Sequence, residues 1–344
     1  MNSFNVLAPS ASFHEGEIPV RYTQDNNVLG VVSYIPDDQY SPSGDLPHLQ
    51  VQIPSEHRIT LSEIWRSAAN VTRGHWESID FSHDGELLFG AISYAVDDGL
   101  IHANQTEKNF RNIFRLINEQ GYPHLFRMWS YIPGLNQDNS DNLEIYKDFC
   151  FGRSEAFSAE FSRSLAQVLP AATGIGSCAR KVAVYFLAKK TPDLIHIENP
   201  IQIPAYKYPP QYGVKAPSFA RATYVPFGNG EYRMYLSGTA SVVGHSSHHP
   251  DSIEKQCETT LLNIQRLIDA DNLKNYGIEH PVNLVDLDMI KVYIRHRHDF
   301  AAVQRICSAF FRPGTSVIYL HADICRKDLL IELEGIFSGS RSAS

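Results

Sequence analysis

Internal repetition restricts this 344-residue chain more than any other feature, because a duplicated unit fixes the order of elements in both copies. DGELLFGAISYA at 84–95 resembles NGEYRMYLSGTA at 229–240; each opens with a turn dipeptide and Glu, then runs on as an apolar strand. Further along, NIFRLI (112–117) resembles NIQRLI (263–268). Both lie in helical patterns: Phe110, Ile113 or Phe114, and Ile117 recur at three-to-four spacing, as do Ile253, Cys257, Leu261, Ile264 and Ile268. A strand-like run follows each helix, FRMWSYI (126–132) and MIKVYIR (289–295). Second helices are predicted next. One is capped by Ser154, with Phe157, Phe161 and Leu165 as its stripe; the other is capped by Asp299, with Val303, Ile306 or Cys307, and Phe310. Gly-containing turns then lead to closing strands, KVAVYFLA in the first copy, SVIYLHA and LLIELEGIF in the second.

The order is strand–helix–strand–helix–strand twice over. It predicts an α+β fold of two halves, each a mixed sheet packed by two helices. An N-terminal extension and the first half occupy 1–197, a Pro-rich join 198–219, and the second half 220–344. The extension contributes strands such as LGVVSYI and HLQVQI, and the tail SGSRSAS reads as disordered. With 43% hydrophobic and 11% aromatic residues, the chain has ample material for a core.

Thirty Lys and Arg against 38 Asp and Glu leave a net charge of −8, which argues against a broad grip on nucleic acid or anionic lipid. A few cations in one pocket still suffice for a small anion. The five cysteines are dispersed without a CxxC pair, as expected of reduced thiols in the cytoplasm. Neither a leader nor an apolar run of membrane-spanning length is evident.

Chemistry separates the halves. LLIELEGI places Ile331, Leu333 and Gly335 on one strand face and Glu332 and Glu334 on the other, whereas KVAVYFLA has no acid. The pattern alone favours two water-facing carboxylates. The sharper reading puts one of them in a pocket, protonated and able to donate its proton. Since only one half keeps an acid here, one active site per chain is expected.

Cys325 precedes Glu332 by seven residues, and a turn between adjacent strands would bring the two together. It is either a small buried hydrophobe or a thiolate favoured by Arg326 and Lys327. Gly238, in SGTAS, either admits a ligand to the backbone or marks a bulge or turn. YKYPPQYGVKAPSFARATY gathers Tyr206, Tyr208, Tyr212, Arg221 and Tyr224. It serves as a rigid aromatic linker or as a site wall offering hydroxyls and a cation to a carboxylate. Arg153, in FGRSEAF at a helix start, is another anion-binding candidate. GHSSHHP (244–250) and RHRH (295–298) match no metal-ligand spacing, and no nucleotide-binding or GxSxG motif occurs. No metal or other cofactor is expected.

These motifs carry a resemblance. YLSGTAS, NIQRLI, IKVYIR, DFAAVQRICSAFF and KDLLIELEGI make the second half similar to the small trimeric RidA/YjgF enamine deaminases. That family's catalytic-region acid falls on Glu332, but its anion-binding Arg falls on Val317, which disfavours imine or enamine hydrolysis. Over most of its length the chain resembles the chorismatases, which have two RidA-like halves. Their YPxxYGxxxPxFxRA and GRxxAF motifs read here as YPPQYGVKAPSFARA (208–222) and GRSEAF (152–157).

The resemblance implies conversion of chorismate to pyruvate and a ring acid without a cofactor, with Glu332 as the proton donor. Its hydroxybenzoate-forming subfamily is similar in carrying Cys at position 325 and Gly at 238, where the hydrolytic subfamily has Ala at both. That implies 3-hydroxybenzoate, with 4-hydroxybenzoate as a further product of some members, for pigment and quinone pathways. Burial beside Leu330 and Ile336 is expected to keep Glu332 protonated. Cys325 is expected to assist at the ring by nucleophilic attack or by steering proton loss. Gly238 is expected to leave room for the ring, and Arg153, Arg221 and Tyr212 to bind the two carboxylates. The open alternatives are a chorismate hydrolase giving a dihydroxycyclohexadiene carboxylate and a non-catalytic RidA-like metabolite binder. A duplicated chain satisfies one interface internally, so a monomer is expected, with a trimer as the alternative.

Overall fold

The structure, a computed structural model, describes residues 8–16, 18, 22, 24–37, 44–96, 102–161, 165–279 and 282–340. Three sheets share one pairing scheme. In the first half, β5 (Thr72–Trp76), β6 (Ile79–His83), β7 (Leu87–Ala95), β8 (His124–Pro133), β9 (Ala171–Ser177) and β10 (Lys181–Lys189) run in the order β5-β6-β7-β10-β8-β9. Helices α1 (His102–Glu119) and α2 (Ile145–Glu160) cover one face. In the second half, β11 (Ile195–Ile197), β12 (Ala222–Pro226), β13 (Glu231–Ala240), β16 (Leu287–Ile294), β17 (Ser316–His321) and β18 (Ile331–Ser340) run β11-β12-β13-β18-β16-β17. Helices α3 (Ile253–Leu267) and α4 (Phe300–Phe310) cover it, and β14 (Val242–Val243) and β15 (Ser246–Ser247) form a small hairpin.

The N-terminal segment is more than an extension. Its strands β1 (Ser10–Glu15), β2 (Val28–Ile35), β3 (His48–Gln52) and β4 (Leu61–Arg66) run β1-β4-β2-β3. That order repeats β7-β10-β8-β9 and β13-β18-β16-β17, down to one parallel pair in each sheet: β2 with β3, β8 with β9, β16 with β17. The chain therefore holds a third copy of the strand scheme. Strands β5 and β6 join the first-half sheet, so that half begins near residue 72, earlier than the repeat at 84 suggests.

Alternation along the central strands explains why both sheet faces are buried. On β10, Val182, Val184, Phe186 and Ala188 face the helices, while Ala183, Tyr185 and Leu187 face a core shared by all three sheets. On β18, Ile331, Leu333 and Phe337 face α3 and α4. The opposite face carries Glu332 and Glu334, only 4% and 2% exposed. The water-facing reading of these acids is thus overturned, because the second face of each sheet meets the other sheets.

Tyr34, Tyr131 and Tyr293, from β2, β8 and β16, converge there, with hydroxyls 2.9 and 3.3 Å apart. Around them Lys291 pairs with Glu63 at 2.9 Å and Glu334 at 2.7 Å, and Arg127 pairs with Glu334. Charges this deep persist only as a mutually paired set; deleting one partner from such a pair costs about 3–5 kcal/mol.

Three local expectations change. Ser154 lies inside α2, which starts nine residues earlier at Ile145, so it caps nothing. Asp299 does occupy the N-cap of α4, but its side chain makes no capping hydrogen bond. Residues 338–340 of the expected tail extend β18, and 341–344 lie outside the described residues.

Candidate active site

A cavity of about 370 Å³ lies at the seam between the halves, where β9 runs beside β13. Backbone N–H groups of Ala171 and Ala172 donate across the seam to Thr223 and Ser237 hydroxyls at 3.0 and 2.9 Å. Glu332, Cys325, Gly238, Arg153, Arg221 and Tyr212 all line this cavity, although the chain separates them by up to 179 positions (332 − 153).

Glu332 is the chemical centre. Burial pushes its pKa up to about 8, the nearby Glu334 charge pushes the same way, and Arg127, Cys325 and Arg221 oppose more weakly. Its carboxyl sits between two small groups. On one side the Cys325 thiol donates to Oε2 at 3.9 Å. On the other, a Cβ built on Gly238 would collide with Oε1 and lie 2.8 Å from Cδ. Gly238 therefore clears space for the acid itself. Burial comes from these neighbours and Thr173, and Leu330 packs instead on the helix side of the sheet.

A β-bulge in β13 between Leu236 and Thr239 makes the arrangement possible. It removes Gly238 from the ladder, and its N–H donates to Thr173 Oγ1 at 3.0 Å in the other half. The bulge reading of this glycine holds, and the group that comes close to its backbone is the Glu332 carboxyl.

Cys325 is not on a turn between adjacent strands. It lies in the crossing segment between β17 and β18, which have β16 between them in the sheet. Burial first and Glu332 second push its pKa up, and Arg326 only partly offsets them. It is a thiol, so the expectation of a thiolate favoured by Arg326 and Lys327 is corrected.

Arg153 projects from α2. The motif around it has a packing logic: a Cβ at Gly152 would lie 2.8 Å from Ala103 Cα, so glycine lets α2 close on α1, while Ala156 and Phe157 fill the core. Arg153 is 2% exposed, and its Nε and Nη2 have no hydrogen-bond partner. A buried guanidinium with spare donors fits an anionic ligand. Arg221 donates to the Tyr208 hydroxyl at 2.7 Å and the Ile203 carbonyl at 3.1 Å, and its Nε is unpartnered. The Tyr212 hydroxyl lies 3.1 Å from His245 Nδ1, and Arg326 stacks over its ring at 4.0 Å.

Of the other tyrosines in that stretch of sequence, Tyr206 in the join packs against the first-half helical core and Tyr224 in β12 lies in the second-half one. Val317 also packs on the helix side, away from the cavity. Among the described residues no group of three His, Cys, Asp or Glu could hold a metal ion, and no helix is long and apolar enough to cross a membrane.

Sequence reasoning missed Tyr146, Thr173, Arg127 and Lys291. Tyr146 lines the cavity from α2, near Cys325 and Glu332. Arg127 and Lys291 left a usable trace: each is the one Lys or Arg inside an apolar strand, His124–Pro133 or Leu287–Ile294.

An α+β chain that gathers a neutral carboxylic acid and two buried guanidinium side chains, Arg153 and Arg221, around one cavity is suited to acid chemistry on a small anion. Residues 63–188 match the family model described as "Chorismatase FkbO/Hyg5-like, N-terminal". A 3-hydroxybenzoate synthase of Streptomyces hygroscopicus is 40% identical over 94% of this chain and 95% of its own. A chorismatase of Streptomyces rapamycinicus is 37% identical over 91% and 93%. A crystal structure of a chorismatase superposes with a TM-score of 0.91 at 35% identity, over 97% of this chain and all of that one. The chain belongs to the chorismatase family.

Proposed function

We propose that this protein converts chorismate to 3-hydroxybenzoate and pyruvate, with Glu332 as general acid. The observation that carries the reading is a carboxyl kept neutral to about pH 8 in a cavity that the buried guanidinium side chains Arg153 and Arg221 also line. Glu332 protonates the methylene of the enolpyruvyl ether, giving an oxocarbenium ion. The ring C–O bond then breaks, the neighbouring ring hydroxyl oxygen takes its place as an arene oxide, and pyruvate leaves. Loss of the hydroxyl proton balances the one Glu332 gave. The oxide opens and aromatises without consuming water. Arg153 and Arg221 hold the carboxylates, and Cys325, a thiol, acts as a hydrogen-bond donor rather than a nucleophile at rest.

The hydrolytic alternative consumes water, so turnover in 18O-water separates the two. The expected products are pyruvate and 3-hydroxybenzoate with no 18O in the phenol oxygen. A dihydroxycyclohexadiene acid, labelled or not, would establish hydrolysis, because water adding at the oxocarbenium carbon leaves both ring oxygens unlabelled; 4-hydroxybenzoate would add a second route, and binding without pyruvate release would establish a metabolite binder.

Product choice is expected to depend on positions 238 and 325 together, because they flank the same carboxyl. In Gly238→Ala the methyl displaces Glu332, and kcat falls by up to about 10² for a misplacement of roughly 1 Å. Adding Cys325→Ala opens space on the other side, so the double variant recovers rate and shifts toward the diene diol. Kinetics and product NMR check this; independent effects of the two changes would defeat the coupling.

We further infer a monomer in the cytoplasm, acting on a small dicarboxylate rather than nucleic acid or membrane. Closure of three matching sheets within one chain supports the first, and light scattering at micromolar concentration tests it. The second unit is read as starting with β11 (Ile195–Ile197), just ahead of the expected boundary at 197, and the 198–219 join as a cavity wall formed through Tyr208, Gln211, Tyr212 and Pro217.

A further inference from the structure

Glu332 and Glu334 alternate on β18 and so share a face, yet their surroundings are opposite. Glu334 accepts hydrogen bonds from Arg127, Lys291 at 2.7 Å, Trp129 Nε1 at 2.9 Å, the Tyr293 hydroxyl at 3.1 Å and the Thr173 hydroxyl. Among the described residues, Glu332 has only the long side-chain contact to the Cys325 thiol. Lys291 is shared with Glu63, which also accepts from Tyr34 at 2.8 Å and Tyr185 at 3.0 Å.

Charge counting gives this arrangement a function. Glu63 and Glu334 against Arg127 and Lys291 sum to zero, in a region where each of the four is at most 4% exposed. An ionised Glu332 would add a negative charge beside this neutral set without a salt-bridge partner of its own, although Arg153 and Arg221 line the same cavity. Other groups face the acid from the remaining elements: Arg221 before β12, Arg153 and Tyr146 from α2, and Cys325 from the crossing segment. Arg326, Lys147 and Lys327 lie farther out, along the cavity wall. None of these pairs with Glu332 within salt-bridge distance.

We propose that Glu334, held as a carboxylate by Arg127 and Lys291, is a positioning residue whose fixed charge keeps Glu332 in its acid form. Thr173 links the two sites mechanically. Its hydroxyl donates to Glu334 and accepts from Arg127 at 2.7 Å and from the Gly238 N–H at 3.0 Å, beside the Glu332 carboxyl. The two cations also prevent Glu334 from competing for the proton.

This inference rests on Glu332 being the acid of the proposed reaction, but its test has a readout independent of turnover. The infrared carboxyl band of neutral Glu332, isolated by difference against Glu332→Gln, is followed with pH in the full-length protein. Glu334→Gln is expected to move its disappearance about one to two pH units lower, from charges about 7 Å apart at an effective dielectric of about 20. The alkaline limb of kcat with chorismate moves by the same amount. Glu334→Gln with Lys291→Met removes a matched pair and returns both toward the wild-type position. Glu63→Gln, on the far side of Lys291, moves them the same way as Glu334→Gln but less, and keeps the test available if position 334 tolerates no change. An unmoved band in the folded variants, or a double variant displaced further than Glu334→Gln, overturns the proposal. A moved band without chorismate turnover upholds it and rejects the reaction instead.

Discussion

Glu332→Gln is expected to lower kcat for pyruvate release by about 10²–10⁴, the usual range for a lost general acid, with KM nearly unchanged. The substitution is close to isosteric, and it replaces a group that is already neutral at pH 7 by another neutral one. Binding and fold should therefore survive, and the loss should fall on the proton-transfer step alone. Wild-type activity should be flat on the acid side of pH 8 and fall about tenfold per pH unit above it, since the acid form is the active one. Stability carries the same signature. Native Glu332 keeps a proton that the unfolded chain releases at ordinary carboxyl pKa, so between that value and about pH 8 the folded state binds more protons. Its contribution to stability is complete at acid pH and is lost as pH rises through 8. Glu332→Gln abolishes that loss, so urea midpoints measured at pH 6 and 9 should lie closer together in the variant. Near-normal turnover by folded Glu332→Gln would remove this residue from the chemistry.

The residues that define the cavity were legible because local patterns exposed them. An acid on an apolar strand, a glycine in SGTAS and an arginine in GRSEAF each broke an expected pattern. The paired helices were legible through their apolar spacing. The third copy of the strand scheme was not, because β1–β4 lack the helices and the short identities that marked the other two. That omission misled the reading of β18: with only two sheets in view, the face bearing Glu332 and Glu334 reads as solvent-exposed. The third sheet brings Tyr34 and Glu63 against that face and turns it into an interior. Partnerships such as Arg127 with Glu334, 207 residues apart, depend on how the sheets close and have no local trace beyond a cation in an apolar strand. Of the two readings of Cys325, the thiolate failed for a related reason, and the small buried group stands. Adjacent Arg326 and Lys327 suggested a thiolate, but Arg326 instead donates to the His245 carbonyl and Ser247 hydroxyl, and burial beside Glu332 dominates.

Arg153→Met should separate stability from function in opposite directions. Two of the three guanidinium nitrogens, Nε and Nη2, are buried without partners, and the charge lies 5.6 Å from the Phe149 ring centre. An unsatisfied buried donor costs about 1–3 kcal/mol, more when charged. Methionine fills similar space without that cost, so ligand-free Arg153→Met should melt a few degrees above the wild type. The same guanidinium lines the cavity and is proposed to meet a substrate carboxylate, where each charged hydrogen bond is worth about 1.5–3 kcal/mol. Turnover at low chorismate should therefore fall by one to two powers of ten or more, chiefly through a higher KM, while saturating substrate recovers much of kcat. Excess chorismate or product should raise the wild-type melting temperature much more than that of the variant, because only the former gains a partner for its buried charge on binding. Thermal scans with and without ligand, beside initial rates, decide the matter. A variant that melts lower than the wild type, with KM unchanged, would make Arg153 part of the packing of α2 rather than the anchor of an anion. The combined result matters more than either half: a site that stores an unpaired cation at a stability cost has a reason to do so only if an anion arrives to cover it.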